Sequence, residues 1–279
     1  NETVIAQTFN KDLANEYGKI CGNYSLWSNL TIFWGCGTNL HRSPYNARNH
    51  EYYSEDAVLT SGQAVAFISG GKEYGVIIAP KHLAFNDTEI NRTGVSVFMT
   101  EQQARENELR GTQASIEDAG ALGVMTAFNR VGITAANAHT GLLKNILRGE
   151  WGFKGLESQD FIMNPNYAVL KEYALNGGTM TTFTGENTMA AVSEKFAYWT
   201  TENVGQDTEL MSAIKQAMTW QAYALANSNA LDGMASSTRL VSVRTWYDNA
   251  LVAVQVVFAA LTVLAAAMYV LNDRKSKKQ

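Results

Sequence analysis

The chain of 279 residues contains few of the residues that build disulfide frameworks, metal centres or disordered segments. It has two cysteines, three prolines and four histidines. Three prolines and the lack of a low-complexity tract argue against a disordered chain. Cys21 and Cys36 either pair or stay as free thiols, and neither has metal-site spacing. The histidines also lack close ligand spacing such as HxxxH, which makes a metal-dependent hydrolase a poor candidate.

Basic residues are too few for a nucleic-acid-binding protein. Lys and Arg number 22 against 26 Asp and Glu, which gives a net charge of -4 and a pI near 5.6. No basic stripe occurs outside the C-terminal tail, so no positive field attracts a nucleic acid. Hydrophobic residues make up 46% of the chain, enough for one large core or one barrel-sized domain with an appendage.

Strand-like and helix-like segments alternate along most of the chain. Hydrophobic patterns predict buried strands at 75–79, 122–128 and 153–159, and helices at 100–118, 140–148 and 207–227. Thr100 and Gln103 form a predicted capping box at the start of the first of these helices. Repeated strand–helix units of this kind predict an α/β fold with a parallel sheet covered by helices.

The last part of the chain has the pattern of a membrane anchor. Residues 250–271 are apolar apart from Gln255 and Thr262, and a helix of this length rises about 30 Å, which matches the hydrocarbon core of a bilayer. A buried core helix is the alternative, although core helices seldom stay apolar on every face for so long. Four basic residues follow the span, so the positive-inside rule places the C-terminus in the cytoplasm.

These patterns predict a single-pass cell-membrane protein with an extracytoplasmic domain. We expect that domain at 1–231, a juxtamembrane linker at 232–248, a transmembrane helix at 249–271 and a basic cytoplasmic tail at 272–279. Because the chain starts at Asn1 rather than Met, we expect that it is a fragment of a longer protein.

Polar side chains stand at the ends of three predicted strands. Lys81 and His82 end the apolar strand that includes 75–79, Asn129 comes after the strand at 122–128, and Asp160 ends the strand at 153–159. In parallel α/β folds the loops at the carboxyl ends of strands converge on one mouth, while strand interiors are committed to packing. We therefore expect these side chains to lie close together.

Four ordered motifs in this region resemble glycoside hydrolase family 3, which contains β-glucosidases and related exo-acting glycosidases. They are NLHRSPYNARNHEYYSEDAVLTSG at 39–62, PKHLAFNDTEINRTGVSVFMTEQQARENELR at 80–110, GVMTAFNRVG at 123–132 and LLKNILRGEWGFKGLESQD at 142–160. The resemblance covers roughly residues 8–233. It implies a (β/α)8 TIM-type barrel and a retaining β-glycosidase that hydrolyses terminal sugars of oligosaccharides or glycosides without a metal or a cofactor.

The matched motifs imply roles for five residues. Asp160 matches the family's nucleophile, which attacks the anomeric carbon while a separate carboxylic acid, about 5 to 5.5 Å away, protonates the departing oxygen. Arg48, Lys81 and His82 match residues that bind sugar hydroxyls in the first subsite. Phe128 occupies a place near the nucleophile where many members have Tyr, and it retains only the packing. The charges suit these roles, because nearby cations keep a carboxylate ionised and also donate several hydrogen bonds.

Each role has a structural alternative. Outside the family context, Asp160 would be a helix N-cap or a loop carboxylate, and Arg48 would simply pair with Glu51 or Glu55. Arg92, in the motif after the Lys-His pair, is interpreted as a structural residue rather than a ligand.

Several departures from the family pattern bear on activity. The early barrel segment, which carries an Asp that binds sugar hydroxyls, and the α/β sandwich domain, which supplies the acid/base, are missing from this sequence. We therefore expect a barrel incomplete at its N-terminal side, an acid/base from outside this chain, and a fragment that is inactive alone. Glu157 replaces an apolar strand residue, so either the register slips or the charge finds a partner. Around Met180, a further acidic residue of the family is replaced. These two changes imply that activity is weakened or lost.

Two functional hypotheses of different classes follow. The first is a membrane-anchored exo-acting β-glycosidase with Asp160 as its nucleophile. The second is a catalytically degenerate relative that binds glycans or organises a surface assembly. Saccharide binding that survives Asp160→Asn without turnover would favour the second.

Overall fold

A computed structural model of the chain describes residues 1–92, 94–161, 169–182, 199–232 and 244–277. The chain divides into two compact units, Asn1–Asp232 and Gly233–Gln279. Most of the predicted linker, at 233–243, and the last two residues of the predicted basic tail lie outside the described residues.

Parallel strands form the main sheet of the first unit. Its described strands are β1 (Ile32–Gly37), β2 (Ile77–Leu83), β3 (Ser96–Val97), β4 (Gly123–Thr126), β5 (Arg130–Val131), β6 (Thr134–Ala135) and β7 (Leu156–Gln159). The main sheet has the spatial order β1–β2–β4–β7, and every pair in it is parallel. Ser158 of β7 also forms a parallel bridge with Met180. The short strands β3, β5 and β6 form a second sheet.

Along the chain, helices alternate with the strands of the main sheet, as the sequence pattern predicted. The longer ones are Lys11–Trp27, Ala57–Lys72, Arg110–Glu117, Gly141–Glu150 and Thr208–Ala226, with shorter helices at Glu2–Ala6, Leu170–Leu175 and Thr201–Gln206. Side chains cap several of them: Asn10, Asp56 and Asp207 each accept a backbone N–H of the first turn. These caps explain why the helices begin where they do.

The strand limits differ from their predicted positions. β2 begins two residues later than predicted and continues through the Lys-His pair to Leu83, because Lys81 and Leu83 pair with Met125 and Thr126 of β4. The predicted strands at 122–128 and 153–159 are shorter in the structure, at Gly123–Thr126 and Leu156–Gln159. Lys81 and His82 therefore lie near the end of a strand, as the sequence predicted.

Two predicted helices contain π-helical turns. The helix predicted at 100–118 consists of Glu101–Gln103, a π-helical segment Ala104–Glu108 and the α-helix Arg110–Glu117. Thr100 caps its first turn, accepting the N–H of Gln103 at 3.1 Å. The helix predicted at 140–148 is π-helical over Gly141–Glu150. Periodicity in the sequence identified both helices but not their wider turns, which depend on packing.

The helices Lys11–Trp27 and Ala57–Lys72 pack backbone to backbone. A Cβ atom at Gly18 would lie 2.0 Å from the carbonyl oxygen of Phe67, and one at Gly70 would lie 2.1 Å from that of Asn15. Neither distance is possible for real atoms, so this approach requires glycine at both positions.

Apolar side chains fill the space between the main sheet and the helices. One core cluster includes Leu83, Val124, Leu143, Leu147 and Phe153, all of which are buried. A second cluster surrounds Phe67 and Ile68 and contains Cys36. Cys21 and Cys36 are free thiols, which decides between the two alternatives that the sequence left open.

The second unit contains the long helix Trp246–Ser276. Asp248 Oδ2 accepts the backbone N–H and the hydroxyl of Thr245, at 2.8 and 2.7 Å, which caps the start of the helix. Within the described residues, Trp246–Leu271 is the one helix long and apolar enough to cross a membrane, judged by length and composition. None of its hydrophobic window is buried within the described residues. The predicted span 249–271 lies inside this helix, and its membrane insertion stays a prediction.

Candidate active site

Two strand ends and one loop bring the predicted site residues together. Lys81 and His82 lie near the carboxyl end of β2, and Asp160 follows β7 directly. The carbonyl of Thr126, at the end of β4, accepts the N–H of Asp160 at 3.2 Å, which aligns the neighbouring strand ends. Arg48 comes from the segment between β1 and the helix Ala57–Lys72 and reaches the same place. The convergence expected from the sequence is thus found for Lys81, His82 and Asp160, and Arg48 joins them. Asn129, which was expected in the same group, is buried and donates from Nδ2 to the carbonyl of Ala84 at 3.0 Å.

Asp160 and His82 are in direct contact. Oδ2 of Asp160 lies 3.4 Å from Nε2 of His82, and the two side chains are 9% and 2% exposed. Oδ1 of Asp160 accepts the backbone N–H of Phe161 at 2.8 Å. Burial raises the pKa of the Asp160 carboxyl, while the Phe161 N–H and three nearby cations oppose this shift. The charge of this carboxylate therefore depends on the cations around it.

His82 is buried and uncharged. Burial lowers the pKa of its imidazole well below the usual value, and neighbouring cations, Arg48 first among them, act in the same direction. Its backbone is fixed by Asn39, whose side-chain oxygen accepts the His82 N–H at 2.9 Å and whose nitrogen donates to the His82 carbonyl at 3.0 Å. His82 therefore serves this site as a neutral hydrogen-bonding group.

Arg48 and Lys81 share one carboxylate. Arg48 binds Glu51 through two nitrogens, Nη2 to Oε2 at 2.7 Å and Nε to Oε1 at 3.3 Å. The same Oε2 lies 3.5 Å from Lys81 Nζ. Burial raises the pKa of Glu51, but the two cations outweigh burial and hold that pKa below its usual range. Arg48 thus pairs with Glu51 as the structural alternative expected, and it also lies 3.2 Å from His82 through Nη2.

Arg92 and Phe128 form a stacked pair beside these residues. The guanidinium carbon of Arg92 lies 4.3 Å from the centre of the Phe128 ring, and its Nη1 lies 2.8 Å from Glu89 Oε1. Oε2 of the same Glu89 lies 3.6 Å from Nη1 of Arg48. Arg92 therefore has the structural partners that the sequence interpretation implied. Its charge also lowers the pKa of Asp160, so it belongs to the electrostatic surroundings of the site as well.

The formal charges at this place balance. The cations Arg48, Lys81 and Arg92 stand beside the carboxylates Glu51, Glu89 and Asp160, and His82 is neutral. A ligand that enters such a site meets many hydrogen-bond donors without a large net field. This combination suits the hydroxyl groups of an uncharged sugar.

The strand that ends at Asp160 contains the unusual carboxyl of Glu157. Its side chain is fully buried, Oε1 accepts the hydroxyl of Thr126 at 2.9 Å, and Oε2 has no hydrogen-bond partner among the described residues. Burial raises its pKa to about 7, against opposing contributions from Tyr173 and Arg148. The pairing of β4 with β7 has no register shift. Of the two outcomes expected, Glu157 therefore finds a partner, although only for one oxygen.

Sequence reasoning missed several residues that shape the site. Glu51 was considered only as a competitor for Arg48, whereas it contacts Lys81 as well. Tyr52 Oη lies 3.3 Å from His82 Nδ1, and Asn86 Nδ2 donates to that hydroxyl at 2.8 Å. All of these residues lie inside the family-like motifs, so the motifs were the available signal. Their contacts span about thirty residues of sequence, which no local pattern reveals.

Solved structures of β-glucosidases share this fold. The β-glucosidase 3B structure from Thermotoga neapolitana in complex with glycerol is 27% identical with a TM-score of 0.74, and the match covers 83% of this chain and 32% of that one. The β-glucosidase DesR from Streptomyces venezuelae, in complex with D-glucose, is 25% identical with a TM-score of 0.70. That match covers 87% of this chain and 31% of DesR. The chain therefore has a TIM-barrel-like α/β fold.

Curated relatives agree with this match. The chain is 35% identical over 159 residues to a probable β-glucosidase J of Emericella nidulans, which covers 57% of this chain and 19% of the relative. It is 36% identical over 167 residues to a β-glucosidase of Ruminococcus albus, and this match covers 60% of this chain and 18% of the relative. The chain thus spans about a fifth of the length of these relatives. The model of the glycosyl hydrolase family 3 N-terminal domain matches residues 1–191, and the chain belongs to that family.

Proposed function

We propose that this chain is part of a retaining exo-acting β-glycosidase that hydrolyses terminal sugars of oligosaccharides or glycosides. The observation that carries the proposal is the contact between Asp160 and His82 at the strand ends, with Arg48 beside them. Relatives named β-glucosidases, and neighbours solved with glucose, support the same substrate class. A carboxylate among hydroxyl-binding donors is the arrangement that a glycosyl–enzyme intermediate requires.

In the proposed reaction, Asp160 attacks the anomeric carbon and forms a covalent glycosyl ester, while the glycosidic C–O bond breaks and the acid/base carboxyl protonates the departing oxygen. Water, deprotonated by the same acid/base group, then hydrolyses the ester. Arg48, Lys81 and His82 hold the sugar hydroxyls so that the anomeric carbon faces the carboxylate. The same cations favour the ionised nucleophile and so oppose the rise in the Asp160 pKa that burial causes. Phe128 contributes through its stack with Arg92, because it lacks a hydroxyl to donate.

The acid/base carboxyl belongs, in this proposal, to sequence outside this chain. It would come from an α/β sandwich domain that precedes the barrel, together with the early barrel segment that completes a (β/α)8 fold. Residues 1–231 would then form the partial barrel. The described portion supplies four parallel strands and the bridge at Met180 toward a further strand.

We also propose that the protein is held on the outer face of a cell membrane. The apolar helix Trp246–Leu271 and the basic residues after it support a single span at 249–271 and a cytoplasmic tail at 272–279. Residues 232–248 would act as the linker. This arrangement directs the candidate site toward extracellular glycosides.

The test is hydrolysis of a panel of nitrophenyl β-glycosides by the complete membrane-anchored protein. Asp160→Ala should reduce turnover by several orders of magnitude, since the covalent intermediate cannot form. Asp56→Ala, which removes the exposed cap of the helix Ala57–Lys72, serves as the control for general damage. No turnover by folded wild-type protein would contradict the proposal.

A second candidate function is glycan binding without catalysis. Two observations favour it: the half-satisfied buried Glu157 in the nucleophile strand, and Phe128 in place of a hydroxyl-bearing residue. This alternative predicts that calorimetry detects saccharide binding of equal affinity in wild type and in Asp160→Asn, with no covalent labelling of either. Turnover that depends on Asp160 would exclude it.

A further inference from the structure

We propose that Tyr52, held in place by Asn86, is a positioning residue that fixes His82 in the tautomer with the hydrogen on Nε2. This inference rests on the proposed function for its catalytic consequence, but the tautomer itself is a property of the chain. The relevant contacts form one row: Asn86 Nδ2 to Tyr52 Oη at 2.8 Å, Tyr52 Oη to His82 Nδ1 at 3.3 Å, and His82 Nε2 to Asp160 Oδ2 at 3.4 Å.

The row is enclosed, so its hydrogen atoms have few alternative partners. Tyr52 is 0% exposed, Asn86 is 1% exposed and His82 is 2% exposed. The rings of Tyr52 and His82 meet edge to face, with centroids 6.3 Å apart. Burial raises the pKa of the Tyr52 hydroxyl, which therefore keeps its hydrogen across the working range of an enzyme.

Counting donors and acceptors assigns the tautomer. Asn86 donates to Tyr52 Oη, which fills one acceptor position of the hydroxyl. The remaining contact of the hydroxyl is His82 Nδ1, so the phenolic hydrogen has Nδ1 as its acceptor. If Nδ1 carried a hydrogen, the buried phenolic hydrogen would lack an acceptor among the described contacts, and unmet buried donors are costly. Nδ1 therefore accepts, and Nε2 carries the hydrogen.

The two neighbours of Nε2 favour opposite tautomers. Asp160 Oδ2, at 3.4 Å, can only accept while it is ionised, so it favours a hydrogen on Nε2. Arg48 Nη2, at 3.2 Å, can only donate, so it favours a bare Nε2. Arg48 Nη2 carries two hydrogens, and one of them is committed to Glu51 at 2.7 Å. The Arg48 side chain is 13% exposed, so water can accept the other hydrogen, whereas the Tyr52 hydroxyl is fully buried. Tyr52 on the opposite edge of the ring therefore decides between them.

The assigned tautomer gives the site a directed donor. An Nε2–H group stabilises the ionised form of Asp160 in the free protein and donates to a sugar hydroxyl when a glycoside enters. The opposite tautomer would present a lone pair to a carboxylate. His82 remains neutral in either tautomer, because burial and the cations Arg48, Lys81 and Arg92 all disfavour its protonation.

Nitrogen NMR of ¹⁵N-histidine-labelled complete protein, in detergent, measures the tautomer directly. Loss of one pair of ring signals in His82→Gln identifies His82. We expect the wild-type Nε2 signal in the protonated region and Nδ1 in the bare region. In Tyr52→Phe both signals should move toward intermediate positions, because the donor that separated the two tautomers is gone. Tyr53→Phe, which alters an adjacent buried tyrosine outside the row, should leave them unchanged.

A wild-type spectrum with the hydrogen on Nδ1 overturns the inference, as does a Tyr52→Phe spectrum identical to wild type. A kinetic measurement adds the catalytic consequence: the rate of covalent labelling by a deoxyfluoroglycoside with a dinitrophenolate leaving group, which needs no proton from an acid. Loss of one positioning hydrogen bond should slow labelling about tenfold in Tyr52→Phe and not in Tyr53→Phe. Absence of labelling in wild type with the expected NMR spectrum would refute the glycosidase proposal but not the tautomer.

Discussion

Thr126 donates its hydroxyl hydrogen to Oε1 of Glu157 at 2.9 Å, between the adjacent strands β4 and β7. The second oxygen of the fully buried Glu157 has no hydrogen-bond partner among the described residues. An ionised carboxylate with one oxygen unmet costs far more inside a protein than the protonated acid does. Both strands end at the candidate site, so the protonation of Glu157 affects the framework that holds Asp160.

This relationship predicts a stability that falls as pH rises. The pKa of Glu157 is about 7 in the folded chain against 4.5 for the free side chain, so the folded state binds more protons between these values. Stability should therefore decline through that window by roughly 3 kcal/mol from this residue. The free energy of unfolding, measured in urea at about pH 5 and at about pH 8, should fall less between these two pH values in Glu157→Gln than in wild type.

Glu55→Gln is the matched control, because Glu55 is exposed. Glu108, whose pKa burial also raises to about 7, leaves a residual pH dependence in every variant. Equal losses of unfolding free energy in wild type and Glu157→Gln would show that Glu157 is not the titrating group.

The carboxylate shared by Arg48 and Lys81 provides a second prediction. Glu51→Gln removes the negative charge shared by two cations and leaves one acceptor oxygen, so Arg48 keeps at most one of the two contacts that orient its guanidinium. Charge-assisted bonds of this kind contribute about 1.5–3 kcal/mol, so kcat/KM for a nitrophenyl glycoside should fall at least tenfold. Steady-state kinetics of the complete protein test this, with Glu55→Gln again as the control. A loss confined to protein yield would contradict it.

The stack of Arg92 on Phe128 provides a third prediction. Phe128→Leu keeps an apolar side chain but removes the ring face that Arg92 contacts at 4.3 Å, whereas Phe128→Tyr keeps the ring. We expect covalent labelling of Asp160 to slow several-fold in Phe128→Leu and to stay near the wild-type rate or rise in Phe128→Tyr. Mass spectrometry of the intact protein follows the reaction. Equal rates in both variants would show that the stack does not influence the nucleophile.

The sequence predicted the alternation of strands and helices and the convergence of Lys81, His82 and Asp160, because both follow from periodicity and from family-like motifs. Strand limits were displaced where tertiary pairing decides them, as at β2, which extends through Lys81 to Leu83. The π-helical turns Ala104–Glu108 and Gly141–Glu150 have no sequence signal that periodicity detects. Tyr52 and Asn86 were missed for the same reason: their function arises from contacts with residues distant in the chain.

Membrane attachment can be tested separately from catalysis. If 249–271 spans a bilayer, the complete protein should remain in the membrane fraction after alkaline carbonate extraction. The insertion of a span of about 20 apolar residues is effectively irreversible. Replacement of Leu261 and Leu264 by Arg, in the middle of the helix, should abolish that retention. Arg substitution at Lys277, beyond the span, is the control and should change nothing. Release of wild-type protein by carbonate would contradict the proposed anchor.

The close approach of the helices Lys11–Trp27 and Ala57–Lys72 predicts that a larger residue at Gly18 destabilises the protein. Gly18→Ala would place a Cβ atom 2.0 Å from the carbonyl oxygen of Phe67, and backbone on both sides leaves no flexible side chain to move aside. The helices must separate, so we expect a loss of about 1–3 kcal/mol in the free energy of unfolding. Gly205→Ala is the matched control, since a Cβ there meets nothing within 4 Å and alanine favours the helix Thr201–Gln206. The midpoints of urea unfolding of the two variants should therefore shift in opposite directions from wild type. A Gly18→Ala variant as stable as wild type would contradict the observed packing.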